Sequence, residues 1–424
     1  MNSTLTENKT YRPEISAVKE AAERISKVSV ITPLAHSITY SKKYSANVLL
    51  KREDLQQVRS YKIRGAYNKI SSLPKEQLEK GVICASAGNH AQGVAFACNA
   101  LQTKGVIYMP ITTPRQKVEQ TRMFGGEWVE VILEGDTFDD SFKEAMIHGE
   151  KHSLVFIHPF DDEKVIEGQA TIGMEILEQA KDPIDFVFAP LGGGGLLAGL
   201  SSVFKQLSPN TKIIGVEPDG AASMTCALRE GKVVELSQIE RFVDGAAVQK
   251  VGFRNFALCK ENLDQMITVP EGKICQTILD LYSQDAIVAE PAGAMALSAL
   301  DFFAEEIRGK NVVCLISGGN NDITRMAEIK ERALLYAGLK HYFIVRFPQR
   351  AGALKQFVAA VLGPDDDITH FEYSKKHHRE NGPAVVGIEL KDQKDFKPLV
   401  KRMKEQNFYG QYLNNNLDLF QFLV

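Results

Sequence analysis

The chain has 424 residues, 44% apolar and 24% charged, with a formal net charge of -3. That length suits two or three domains of ordinary globular composition. The near-balanced charge gives no electrostatic footing for nucleic acid or an anionic membrane surface. No run of about 18 apolar residues occurs, which excludes a membrane-spanning helix of the usual kind. The charged N-terminal stretch, with Glu7, Lys9, Arg12 and Glu14, has no apolar core of signal-peptide length. Six cysteines, none in a C-x-x-C pair, sit mostly in apolar stretches. The expectation is a cytoplasmic protein with reduced, buried thiols.

From about residue 45 to 320, short apolar runs alternate with amphipathic stretches. Val82–Ala85, Gly105–Met109 and residues 128–133, 154–157, 186–189, 213–216 and 312–316 are predicted strands. Residues 115–124 and 163–179 have helical character. The alternation predicts an α/β fold with parallel sheets buried on both faces. Ligands of such sheets bind beyond the carboxyl ends of the strands. Near residues 333–340 the pattern changes to strand (342–347), helix (353–362), strand (368–373), strand (384–390), helix (394–404) and strand (411 onward), with 417–424 as a further candidate strand. That βαββαβ order predicts a ferredoxin-like domain. Leu354, Phe357, Val358, Val361 and Leu362 would share one helix face, and Phe343, Val345 and Phe347 one sheet face. The predicted division is a catalytic domain over 1–335, carrying a small subdomain at about 55–160, and a second domain over 339–424.

Five segments carry chemistry. Lys62 lies in Ser60-Tyr61-Lys62-Ile63-Arg64-Gly65-Ala66 at a predicted helix start, where partial desolvation would free its amine for a Schiff base. A lone lysine of this kind also suits a plain surface position. Ser86-Ala87-Gly88-Asn89-His90-Ala91-Gln92-Gly93 follows a strand, with Ser86 and Asn89 as possible helix caps and the exposed amides as a cup for a carboxylate. A well-capped turn explains it equally. Gly192-Gly193-Gly194-Gly195-Leu196 follows another strand, and four glycines let backbone amides close on a phosphate. Gly193, Gly195, Ala198 and Glu217 also fit the dinucleotide fingerprint, which keeps an NAD-dependent oxidoreductase open. Ser317-Gly318-Gly319-Asn320 places a hydroxyl where it could meet a ring nitrogen, and Glu290-Pro291-Ala292-Gly293-Ala294 lets a helix start approach a planar ligand. His148 and His152 have metal-ligand spacing but suit a wet helix end, His377 and His378 suit a solvated loop, and Asp365-Asp366-Asp367 suits a turn.

These five segments, in this order and spacing, resemble the fold-type II pyridoxal-phosphate (PLP) enzymes over about residues 20–330, and within them the biosynthetic threonine dehydratase (threonine ammonia-lyase) family. The resemblance implies two parallel-sheet subdomains of the tryptophan synthase beta-like kind. It implies PLP as a Schiff base on Lys62, Asn89 on the ring hydroxyl, Gly192, Gly193, Gly194, Gly195 and Leu196 on the phosphate, Ser317 at the pyridine nitrogen and Glu290 near the ring. Ser86, Ala87, Gly88, Asn89 and His90 would hold the substrate carboxylate. Lys62 would be the catalytic base of a β-elimination from L-threonine, or L-serine, giving 2-oxobutanoate and ammonia from threonine. Ala87 stands where the related serine racemases are expected to carry a serine acid/base, which argues for elimination over racemisation. Ser223 stands where those relatives have an acidic metal ligand, so no metal is expected, with a monovalent ion near Glu217 left open. A serine dehydratase or racemase remains the alternative within the family.

The tail resembles a single ACT-like regulatory domain. Its ligand loop would be Arg350-Ala351-Gly352-Ala353-Leu354, with Arg350, Gly352 and Leu354 as regulatory residues. The resemblance implies isoleucine as feedback inhibitor, valine as its antagonist, and a homotetramer. A passive oligomerisation domain is the other reading.

Overall fold

The computed structural model describes residues 11–373 and 381–415; His377, His378 and the candidate strand 417–424 lie outside them. The chain divides into two compact units, Met1–Asp322 and Ile323–Val424. The Met326–Tyr336 helix belongs to the second. Among the described residues, no helix is long and apolar enough to cross a membrane.

In the first unit the strands are β1 (Leu34–His36), β2 (Asn47–Arg52), β3 (Val82–Ala85), β4 (Gly105–Met109), β5 (Val129–Leu133), β6 (Val155–Phe156), β7 (Phe186–Pro190), β8 (Lys212–Pro218), β9 (Gln265–Val269) and β10 (Asn311–Ile316). They form a four-stranded sheet, β5-β4-β3-β6, and a six-stranded sheet, β1-β2-β10-β7-β8-β9. All pairings are parallel except β1 with β2. Every residue of β3 and β7 is buried, as helices on both faces of a parallel sheet require. The predicted α/β fold with two parallel-sheet subdomains is what the chain adopts.

The sequence pattern misses β1, β2 and β9. β1 is three residues long, and β9 is an edge strand with only Val269 fully buried. β2 carries a lysine, Lys51, that is itself wholly buried.

The second unit has β11 (Lys340–Pro348), β12 (Asp367–Tyr373), β13 (Asn381–Glu389) and β14 (Tyr409–Tyr412) in the antiparallel order β12-β13-β11-β14, with helices Ala353–Ala360 and Phe396–Glu405. This is the predicted ferredoxin-like arrangement. Phe343, Val345 and Phe347 are buried together as expected. The predicted helix face is narrower than its pattern. Ala353, Phe357 and Val361, spaced by four, are buried, while Leu354 and Val358 are each 47% exposed. An i, i+4 row covers the sheet alone, and the neighbouring row of the helix remains at its solvent edge.

Candidate active site

The residues at 86–89 follow β3, 158–161 follow β6, 192–195 follow β7 and 317–320 follow β10. Parallel strands deliver all four stretches to the carboxyl ends of their sheets. Lys62 opens the Lys62–Ser71 helix. Its Nζ donates to the Pro159 carbonyl at 2.9 Å and forms no ion pair among the described residues. Desolvation brings the amine down to about 8, against the opposing pull of the Glu290 carboxylate.

The segments are stitched together by backbone. The Tyr61 N–H donates to the Ser317 carbonyl at 3.1 Å, the Gly319 N–H to the Arg59 carbonyl at 2.9 Å, and the Glu290 N–H to the Gly318 carbonyl at 3.1 Å. Ser60 pairs with Gly318 in an isolated bridge. A Cβ on Gly293 would stand 2.2 Å from the Gly318 carbonyl oxygen, so the Pro291–Ser298 helix reaches the Ser317 loop only as glycine.

Ser86 and Asn89 do not cap the Asn89–Leu101 helix, contrary to the sequence expectation. Gly88 is its N-cap, with no side-chain cap bond. The Ser86 hydroxyl accepts instead from the Gly88 N–H at 3.3 Å. Asn89 is drawn off to the Pro291–Ser298 side, where its Nδ2 donates to Glu290 Oε1 at 2.7 Å. A tertiary bond to a carboxylate outweighs a local cap. The His90 ring is buried and meets the Ile157 carbonyl through Nε2 at 2.9 Å. Burial lowers it to about 3, so it is neutral and Nε2–H is the donor. His90 can therefore offer the cup only its backbone N–H. A Cβ on Gly88 would meet no atom within 4 Å: the space before it is open.

Glu290 is buried, and burial together with Asp244 pushes its carboxyl up to about 7. The four glycines are packed too tightly for side chains. A Cβ would stand 3.0 Å from Ala246 Cα at Gly192, 2.2 Å from the Phe160 ring at Gly193, 2.9 Å from Asn255 Cβ at Gly194 and 2.6 Å from the Phe160 carbonyl at Gly195. Gly194 also has φ +93, a left-handed conformation that suits glycine. The Gly193 carbonyl is held on the far side by Asn255 Nδ2 (2.8 Å) and the Gly252 N–H (3.1 Å). That leaves the amides at the start of the Gly195–Leu207 helix, which have no intrahelical partner, to face a ligand. If these amides hold the phosphate of PLP, as the resemblance implies, Gly193→Ala is expected to weaken PLP binding by roughly ten- to a hundredfold, since overpacking of this kind costs about 1–3 kcal/mol. Titration of the apo protein with PLP checks it, with thermal melting of the apo form as the control for folding.

Glu217 does not behave as the acid of a dinucleotide site. It is wholly buried and accepts from the backbone N–H groups of Met224 (2.7 Å) and Thr225 (2.9 Å) and from the Thr225 hydroxyl (2.8 Å). A carboxylate closed on its own chain has nothing left for a ribose. His148 bonds through Nδ1 to the Tyr108 hydroxyl at 2.8 Å, and its ring lies 4.6 Å from that of His152. Among the described residues no group of three or more His, Cys, Asp or Glu could hold a metal ion.

Several site residues escape sequence reasoning. Pro159 and Phe160, Asn255, and Ala246 of the 243–247 loop all touch Lys62 or the glycines. Only His158-Pro159-Phe160, directly after β6, had a signal in the strand-end rule. The His158 Nδ1 accepts from the Phe160 (3.2 Å) and Asp161 (2.8 Å) N–H groups, which shapes that turn.

Residues 25–318 match the family described as pyridoxal-phosphate dependent enzyme, and residues 331–423 that described as the C-terminal regulatory domain of threonine dehydratase. The chain is 57% identical over 411 residues to the L-threonine dehydratase biosynthetic IlvA of Halalkalibacterium halodurans, covering 97% of this chain and 99% of that protein. It is 52% identical to the Bacillus subtilis protein of the same name, covering 97% of each. The chain belongs to the biosynthetic threonine dehydratase family. Among solved structures it is similar to processed threonine deaminase isoform 2 of Solanum lycopersicum, at TM-score 0.72 and 44% identity over 77% of this chain and 91% of that one. It is also similar to the serine racemase of Dictyostelium discoideum, at TM-score 0.67 and 33% identity over 73% of this chain and 99% of that one.

As a member of the threonine dehydratase family the protein depends on PLP. The residues fit that cofactor. A desolvated amine, a glycine cradle with its N–H groups free and the buried Ser317 stand together. The Ser60 hydroxyl beside them is buried with no partner among the described residues, as expected of a polar group next to a ligand site.

Proposed function

We propose that this protein converts L-threonine to 2-oxobutanoate and ammonia, with L-serine as a second substrate, and so performs the first step of isoleucine biosynthesis. The observation that carries the reading is the Lys62 amine, depressed by desolvation and without an ion pair among the described residues, at the junction of the five segments. Lys62 holds PLP, and the amides of Gly192 to Leu196 hold its phosphate. Bound there, the cofactor supplies an electron sink for the pair left behind when the α-proton departs. The substrate carboxylate sits on the N–H groups of residues 86–90, before the open space at Gly88. That would place the α-carbon beside Lys62, whose Nζ, freed when the substrate amine replaces it on the cofactor, would take the α-proton. Ser317 would present a hydroxyl, rather than a carboxylate, to the ring nitrogen, an environment that would leave that nitrogen unprotonated and favour prompt loss of the β-hydroxyl. Ala87 has no proton to return to the opposite face, which supports elimination over racemisation.

The 331–423 match supports a regulatory second unit. Isoleucine as inhibitor and valine as antagonist would bind the loop of Arg350, Gly352 and Leu354. There Gly352, at φ +82, caps the Ala353–Ala360 helix, and Arg350 bonds Gln356 at 2.5 Å. Such control requires each effector to bind two states of the protein unequally. Family membership supports a cytoplasmic homotetramer. The test is 2-oxobutanoate release from threonine, alone and with added isoleucine. Turnover that isoleucine suppresses and valine restores is expected. No turnover would overturn the dehydratase reading, and turnover indifferent to isoleucine would overturn the regulatory one alone.

A further inference from the structure

A side-chain amide can turn by half a rotation, exchanging its oxygen and nitrogen at almost no cost in shape. If Asn89 meets the PLP ring hydroxyl, as the family resemblance implies, its amide must be held one way round. Asn89 Oδ1 accepts from Asn320 Nδ2 at 2.7 Å, and Asn89 Nδ2 donates to Glu290 Oε1 at 2.7 Å. Asn320 is itself fixed by a group that cannot turn. Its Nδ2 also lies 2.9 Å from the Val58 backbone carbonyl and 2.9 Å from Gln92 Oε1, so its two hydrogens are shared among three oxygens. An oxygen in place of that nitrogen would face the Val58 carbonyl, which cannot turn, whereas the present orientation leaves Asn320 Oδ1 buried without a partner among the described residues. The Asn320 backbone N–H also bonds the Glu290 carboxylate. Orientation thus passes from a backbone carbonyl to Asn320, then to Asn89.

We infer that Asn320 is a positioning residue that locks the Asn89 amide with an N–H, not its carbonyl, toward the ring hydroxyl of PLP. Glu290 alone would be the poorer guide. Its carboxyl is pushed up to about 7, and once protonated it can donate as well as accept. The Asn320 amide does not titrate.

The test uses the full-length holoenzyme and four variants: Asn320→Asp, Asn320→Ala, Asn89→Ala and the double variant Asn89→Ala/Asn320→Asp. Asn320→Asp puts an oxygen against Asn89 Oδ1 and favours the turned amide. The readouts are the visible absorption band of bound PLP, the PLP dissociation constant, and kcat and KM for threonine, with thermal melting to confirm folding. Asn320→Asp is expected to shift the band, to weaken PLP binding by roughly tenfold, about one hydrogen bond, and to lower kcat more than it raises KM. Asn89→Ala should shift the band likewise, and the double variant should add nothing, because both act through one contact. Asn320→Ala, which cannot repel, should move the same readouts in the same direction by less, and it carries the test if Asn320→Asp does not fold. A wild-type band and affinity in the Asn320 variants, with Asn89→Ala altered, would overturn the inference alone. An unaltered Asn89→Ala would overturn the Asn89 contact and the inference with it.

Discussion

Lys62→Ala is expected to abolish threonine turnover, with kcat reduced by on the order of 10⁴ or more, because in the proposed mechanism one group both holds the cofactor and moves the α-proton. The purified wild-type protein should show a visible band that borohydride removes, and the variant should lack it. Desolvation also gives the site a pH signature. An amine at about 8 rather than the ordinary 10.5 is neutral in about one molecule in four at pH 7.5, against about one in a thousand for an ordinary lysine. Only the neutral amine is a nucleophile. The rate at which apo protein captures PLP should therefore rise with pH and level off above about 8, instead of climbing to beyond 10. A colourless wild-type protein that stays colourless with PLP would refute the assignment of Lys62. Capture still climbing at pH 10 would refute its depressed pKa.

The parts of this site that the sequence reveals are those where the backbone itself is the instrument. Four consecutive glycines are costly to order, and each proves to face an atom that a Cβ would strike. Short apolar runs mark strands, and the residues after them fall at the carboxyl ends whatever their identity. Parts whose position comes from tertiary neighbours leave no such trace. Asn255 is an ordinary helical residue in sequence, yet it anchors the Gly193 carbonyl. Phe160 and Ala246 matter because of where their chains pass. The capping expectation for Ser86 and Asn89 fails for the same reason, since local propensity cannot see Glu290 two hundred residues away.

The fold follows the same division. Strands buried on both faces are continuous apolar runs and are legible. β2 is not, because Lys51 interrupts its pattern, and a lysine at a core position is intelligible only with its partners in view. The helical stripe through Leu354 and Val358 was too wide because periodicity gives the direction of the apolar face and not its width. The width depends on how much of the helix the sheet covers.

The partners of Lys51 lead to the largest expected effect on stability. Arg64, two residues past Lys62, is wholly buried with Glu53 and with Glu175 close by. Its Nε and Nη2 donate to the two Glu53 oxygens at 2.8 Å each, and Nη1 and Nη2 to Glu175 at 2.6 and 2.9 Å. Lys51 completes the group, donating to Glu175 at 2.6 Å and to the Thr32 carbonyl at 2.7 Å. Two cations and two anions cancel, and together they join β2, the Lys62–Ser71 helix and the Glu163–Gln179 helix. Arg64→Met keeps the bulk and removes one charge, stranding the Glu53 carboxylate while Glu175 keeps Lys51. The expected loss is about 3–5 kcal/mol, or about 4–7 °C in melting temperature for a unit of this size. The sign of the pH dependence should also change. Burial alone would raise the Glu53 carboxyl, but Arg64 overrides burial and holds it below its ordinary value. In the wild type this contribution is therefore present above the ordinary carboxylate range and is lost as pH falls through the depressed value. In Arg64→Met the stranded Glu53 carboxyl takes up a proton more readily folded than unfolded, so stability gains as pH falls toward that range. Melting curves from pH 4 to 8 separate the two slopes. Equal melting temperatures and parallel slopes would show that the quartet contributes nothing to holding the helix that starts at Lys62.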